Sequence, residues 1–235
     1  MSYPINYPTP EGANVQIFKA PTRLAATSFS AEWVKPQGAS FVWFTLIGAG
    51  GATDDDAINL LGGGSGAVTN CMVPAFLIPD VLQVRVGKGG YFISPAGTAG
   101  GATQIAYQQK TGTAYVLLNA NGGEPGATAG AAGGTADVAN NFSAMGFFQS
   151  TAGQAGVNGT QSPSSTTFLS GGSYVGPVTS NYGYSAAGNG FSQIQPIIVG
   201  VGGTGLAGFG CGGSGTTSTA TRGVGGDGLA VIITW

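Results

Sequence analysis

Apolar and polar positions alternate along much of this chain with the period of β-strands. Val81-Leu-Gln-Val-Arg-Val86 puts Leu82, Val84 and Val86 on one face and Gln83 and Arg85 on the other. Phe29-Ser-Ala-Glu-Trp-Val34 reads as a second strand, and Lys35-Pro-Gln-Gly38 after it is a turn signal. Phe41-Val-Trp-Phe-Thr-Leu-Ile47 is apolar on both alternating faces. That pattern predicts a strand buried on both sides, between sheets or between subunits. Further strands are expected at Tyr115–Leu118, at Leu229-Ala-Val-Ile-Ile-Thr-Trp235 and, briefly, at Val15–Phe18. Most of these strands run directly into, or out of, a glycine cluster.

No segment has helical periodicity. The alanine-rich run at 127–136 is cut by Gly130, Gly133 and Gly134, each costing about 1 kcal/mol in a helix relative to alanine. The expected fold class is therefore all-β: a glycine-rich β-sandwich or jelly-roll-like domain over 29–235. Residues 1–28, punctuated by Pro4, Pro8, Pro10 and Pro21, read as an extended N-terminal arm. Its apolar residues Tyr3, Ile5, Tyr7, Ile17 and Phe18 suit packing along a neighbouring subunit. The segment from about 135 to 192, rich in Ser, Thr, Asn and Gly, reads as a loop-rich excursion from the sheets.

Composition sharpens this picture. The chain has 45 glycines in 235 residues, against an average usage of about 7%. Glycine loses the most backbone freedom on folding, so so many must be offset by something specific. Two uses stand open. Glycines can occupy turns and bulges with positive φ. Alternatively, glycine-rich stretches can run as extended polyglycine-II segments packed side by side, where the missing Cβ lets backbones approach. The doublets Gly100-Gly101, Gly133-Gly134, Gly202-Gly203 and Gly212-Gly213 and the triplet Gly62-Gly-Gly64 suit the second. A flexible linker would lack the interleaved aliphatic and aromatic residues.

Only 7% of the residues are charged, with net charge −2. No Lys/Arg cluster exists, which argues against nucleic acid and anionic membrane surfaces as partners. No apolar stretch is long enough for a transmembrane helix, and the N-terminus does not read as a signal peptide. The two cysteines, Cys71 and Cys211, lack metal-ligand spacing and read as small buried thiols, with a disulfide as the alternative.

Candidate chemistry is sparse. There is no histidine, which removes the usual general base and the commonest transition-metal ligand. Asp54-Asp55-Asp56 offers oxygens to a hard cation but lacks the alternating spacing of a calcium loop, so it reads as a solvated loop tip. No cofactor is expected. The glycine runs at 200–205 and 87–90 lack the helix and Lys-Ser/Thr of a phosphate loop. Tyr174, Tyr182, Tyr184 and Phe191, set among polar residues, are the candidate receptor- or partner-binding residues, able to stack on sugars or pack on protein.

These motifs, taken in order, resemble a glycine-rich domain family found in phage tail-fibre, tail-tip and other virion proteins. The strand Phe29–Trp33 with Pro36-Gln-Gly38 fits its opening, and Phe41–Gly51 its hydrophobic strand ending in glycines. Gly63-Gly-Ser-Gly66, Val86-Gly-Lys-Gly-Gly90, Gly100-Gly-Ala-Thr103 and Gly223–Trp235 follow in the family's order. The match covers about 29–134 and 197–235. The chain is also similar to the polyglycine-sandwich adhesins of phage fibre tips, but 135–192 lacks their regular glycine tracts. The resemblance implies a non-catalytic virion structural protein, a fibre, spike or head-decoration component, made in a host cytoplasm. It implies contacts with other capsid or tail proteins and, in an attachment role, with a host surface glycan or protein. The apolar strands need covering by partners, so a homo-oligomer, a homotrimer, is expected. The alternative reading is a carbohydrate-binding module or lectin-like β-sandwich.

Overall fold

The structure, a computed structural model, describes residues 12–20, 28–52, 54–55, 59–61, 63–93, 96–107, 114–126, 131–137, 146–153, 158–160, 209–210, 212 and 224–235. Two antiparallel sheets face each other. The first has five strands in the order β1 (Asn14–Lys19), β14 (Leu229–Thr234), β3 (Phe41–Ile47), β6 (Val68–Pro74) and β12 (Phe147–Thr151). The second has four, in the order β11 (Tyr115–Ala120), β10 (Thr103–Tyr107), β7 (Val81–Gly87) and β2 (Ser28–Val34). Two short accessory ladders join β13 (Asn158–Thr160), β5 (Asn59–Leu61) and β4 (Asp54–Asp55), and β8 (Phe92–Ile93) with β9 (Ala96–Gly97). Among the described residues the only helical turn is the 3-10 turn Ala75–Leu77. The chain is all-β, as its periodicity requires.

The core lies between the sheets. Val42, Phe44 and Leu46 of β3 share its inner face with Cys71 and Val73 of β6 and Ala230 and Ile232 of β14. Opposite them stand Trp33, the alternating set Leu82, Val84 and Val86, and Ile105 and Leu118. Gln83 and Arg85 point outward beside Glu32 and Ser30. The second sheet is thus polar outside and apolar inside, the period-two pattern expected of it. Trp33 and Phe44 meet edge to face, ring centroids 6.1 Å apart.

The first sheet differs. Its outer face is also apolar: Ile47, Val68, Leu229, Val231 and Ile233 form a second buried cluster, packed by Trp43, Phe209 and Trp235. β14 is buried at every position. The two-sided apolar patterns of β3 and β14 therefore reflect two layers of packing on one sheet.

Two strands lie in segments that the sequence reads as arm and excursion. Val15–Phe18, the short strand expected near the N-terminus, falls within β1, which pairs residue for residue with β14, and Phe18 packs against the core. It is an edge strand, the position that tolerates flanking prolines because one side needs no ladder partner. Within the supposed excursion, Phe147–Thr151 forms β12 on the opposite edge of the same sheet, and 158–160 pairs with β5. An edge strand is held largely by backbone bonds to its one neighbour, so its side chains need not alternate cleanly.

Candidate functional site

The strands β3, β7 and β11 end, and β6, β10 and β14 begin, at one end of the sandwich. Each continues there into a glycine-rich segment: 48–52, 87–90, 121–126, 63–67, 98–101 and 224–228. Side chains normally hold packed sheets about 10 Å apart. Where the side chains vanish, the two layers converge and bond to each other through their backbones.

Segment 48–52 shows the pattern most fully. Gly48 and Gly51 donate their N–H groups to Ala67 and Gly64, both on segment 63–67. Ala49 and Ala52 donate to Gly101 and Thr98, both on 98–101, and Gly50 donates to Gly226. The carbonyls of Ala49 and Ala52 accept from Gly123 and Gly126, and that of Gly50 from Gly90. All eight bonds span 2.8–3.0 Å. Direction thus repeats every third residue, the screw of polyproline II, whereas a β-strand repeats every second. One segment is hydrogen-bonded to five others. The same three-residue step relates Gly64 and Ala67 to Glu124 and Asn121, and the carbonyls of Gly87 and Gly90 to the N–H groups of Gly228 and Gly225.

Close approach explains the glycine. A Cβ at Gly51 would lie inside the carbonyl group of Glu124, and one at Gly48 inside that of Asn121. Positive φ does not explain it: Gly12, Gly38 and Gly210 alone among the described residues have it. Gly38, at φ 80°, serves the turn after β2, where Ala39 N–H reaches Pro36 O. Of the two uses that composition left open, side-by-side polyglycine packing accounts for the main clusters among the described residues.

The seam between side-chain core and bundle is made by buried threonines. Thr103 Oγ1 donates to Ile47 O at 2.7 Å and accepts from Gly87 N–H at 3.1 Å. Thr69 Oγ1 donates to Asn119 O at 2.7 Å. Each hydroxyl crosses from one sheet to the other where the gap has narrowed to one short side chain. On the flank, Asp137 accepts from Asn119 N–H at 3.0 Å and donates its own N–H to Ser150 Oγ, which lies 2.8 Å from Thr69 Oγ1. This ring closes one side of the sandwich. Nothing in the sequence around Asp137 marks it for this role.

Among the described residues the bundle holds one ion pair, Lys88 Nζ to Asp227 Oδ2 at 2.9 Å, and Asp227 Oδ1 also accepts from Gly89 N–H. Opposite charges inside two glycine runs, in a chain with few charges, were the available signal for it. The lysine of Gly87-Lys-Gly-Gly90 is thus engaged by a carboxylate rather than free for a phosphate.

The opposite end of the sandwich carries exposed apolar residues. Val34, Val81, Tyr107, Tyr115 and Val116 lie where the second sheet's strands begin or end. Phe76 and Leu77 protrude from the turn between β6 and β7. Phe41 stacks on Trp235 with centroids 6.0 Å apart. Lys35 anchors this end, donating to Ala75 O, Ile78 O and Asp80 Oδ1 at 3.0, 3.0 and 2.8 Å.

Most of the residues singled out in the sequence fall outside the described set. Tyr174, Tyr182, Tyr184 and Phe191 lie outside the described residues, as do Tyr3, Ile5, Tyr7, Asp56, Cys211 and the 200–205 run. Asp54 and Asp55 form β4, paired with Leu61 and Leu60. Among the described residues no three His, Cys, Asp or Glu side chains gather as metal ligands. Cys71 is a free thiol in the core, and burial pushes its pKa up to about 12, so it stays protonated at neutral pH. No described helix is long and apolar enough to cross a membrane.

Among curated proteins, no significant match to the chain is found. A family model described as a glycine-rich domain matches residues 25–235, from before β2 to Trp235, covering the bundle and every strand of the two sheets except β1. The chain therefore belongs to the glycine-rich domain family.

Proposed function

We propose that this protein is a non-catalytic structural component of a virus particle, a fibre, spike or head-decoration protein, assembled as a homotrimer. The observation that carries the reading is the glycine bundle. It is a block held by backbone hydrogen bonds between six strand extensions, with few reactive side chains. Such a block is a stiff module with little for a protease to grip. Lys88 is the one basic residue in its six segments, and it is ion-paired. The ordered motif series, similar to glycine-rich domains of phage tail and virion proteins, supports the same role. Contacts with capsid or tail proteins, and attachment to a host surface glycan or protein through Tyr174, Tyr182, Tyr184 and Phe191, belong to this proposal.

The test is negative-stain electron microscopy of purified particles from cells that make the chain, labelled with an antibody against it. Label on capsid or tail is the expected result. Unlabelled particles from cells containing the protein would refute the reading.

A further inference from the structure

β1 is held differently from the strand it covers. The family model begins at residue 25, so β1 lies outside the region the family shares, whereas β14 lies inside it. None of the six residues of β1 is fully buried, while all six of β14 are. On the core-facing side of β1, Gln16 Nε2 donates to Asn14 Oδ1 at 3.2 Å, so these two polar side chains satisfy each other. Phe18 and, just past the strand, Ala20 reach the core. The strand is therefore held mainly by its six-residue ladder with β14. β14 in turn pairs with β3 along one edge and with β1 along the other. Without β1, a strand buried throughout would present a row of unpaired N–H and C=O groups, a template for another strand.

We infer that this edge of β14 is a strand-acceptor site and that β1 is exchanged between copies of the chain, the β1 of one copy pairing with the β14 of another. The inference rests on the homo-oligomer of the proposed function. The ladder is the same whether residues 21–27 tie β1 to its own domain or to a neighbour's, so exchange costs it no hydrogen bond. The concentration of other copies' β1 near the edge then selects the pairing, and assembly raises that concentration. The occupant is specified by shape. Phe18, the one aromatic residue of β1, stands opposite Ala230, the smallest side chain of β14. A slip of one residue would turn Phe18 away from the core.

The experiment uses the full chain in a Cys71→Ala/Cys211→Ser background. One copy carries Ile17→Cys, and a second copy, enlarged by a tag, carries Val231→Cys. These positions oppose each other in the ladder, within reach of a disulfide. The two are mixed in urea, refolded together, oxidised and run on a non-reducing gel, and far-UV circular dichroism checks that each variant folds. The expected result is an interchain disulfide, with several-fold less product when Val15→Cys, two positions out of register, replaces Ile17→Cys. Equal product from both pairs overturns the inference, because chance collision gives that result. So does an absent interchain bond when one chain bearing both Ile17→Cys and Val231→Cys closes on itself, since β1 then stays with its own domain. Light scattering on the wild type separates that failure from the failure of the assembly reading: an oligomer leaves the assembly standing, and a monomer removes both. Should Val231→Cys fail to fold, Val15→Cys with Ile233→Cys, also opposed, provides the same readout.

Discussion

Gly51→Ala adds one methyl group at the centre of the bundle. The new Cβ would fall inside the Glu124 carbonyl and within 2.9 Å of Gly123 O, all backbone atoms that cannot rotate away. Relief requires segments 48–52 and 121–126 to separate by about 1 Å or more to restore ordinary carbon contact. Two classes of bond stand in the way. Gly123 and Gly126 donate across this gap to Ala49 and Ala52 at 2.9 Å each, and Gly64 donates to Glu124 O at 3.0 Å. Overpacking of a tight site costs about 1–3 kcal/mol. Loss of two buried bonds with both partners stranded adds about 1–3 kcal/mol each. Against this, alanine reduces unfolded-state freedom and returns about 0.4–1 kcal/mol. The net expectation is a loss of about 2–9 kcal/mol, a large part of the ~5–15 kcal/mol that holds a typical domain. Gly12→Ala is the comparison: its φ is 81° but nothing lies within 4 Å of the added methyl, so it should lose only about 1–2 kcal/mol. Urea unfolding followed by tryptophan fluorescence reads both, because Trp33 is buried in the core. A Gly51→Ala protein within about 1 kcal/mol of wild type, or no worse than Gly12→Ala, would refute the close-packing account of glycine.

Four further outcomes follow from three side chains. Thr103→Val keeps the shape but strands Gly87 N–H and Ile47 O at the seam, and should lose about 2–4 kcal/mol in the same urea assay. Trp33→Phe should be mild, within about 1–2 kcal/mol, since the lost volume is partly offset by removing an indole N–H that is buried without a partner. In a Cys211→Ser background, Cys71 should resist a thiol reagent at pH 8 and react once the protein is unfolded in urea. The same thiol makes stability depend on alkaline pH. Its folded pKa is raised from 9.0 to about 12, so the folded state keeps a proton that the unfolded chain releases; stability is full below pH 9 and falls as pH rises toward 12. A Cys71→Ala variant, with a smaller alkaline slope in pH-dependent unfolding, checks that assignment.

Much of the sandwich was legible in the chain because β-strands carry their own periodicity. Leu82, Val84 and Val86 announce an inward face, and they pack there opposite Phe44 and Ile232. The two-sided apolar pattern of Phe41–Ile47 announces a strand covered on both sides, and β3 sits inside its sheet between two buried clusters. The glycines themselves exclude long helices. Other strands were less legible. β6, β10 and β12 mix Thr, Asn and Gln with apolar residues, and their hydrogen bonds come from neighbours remote in sequence.

The glycine bundle marks the division most clearly. Sequence alone determined that so many glycines must serve a specific purpose, and that they punctuate strands. It could not say whether they make turns or contacts, because a missing Cβ has no signature until another backbone occupies its place. Tertiary structure decided that Glu124 stands against Gly51, Asn121 against Gly48, and that each step along 48–52 turns to a different neighbour. The same holds for Asp137 and Asp227: a lone carboxylate acquires its role only from the N–H groups and the ammonium that folding brings to it.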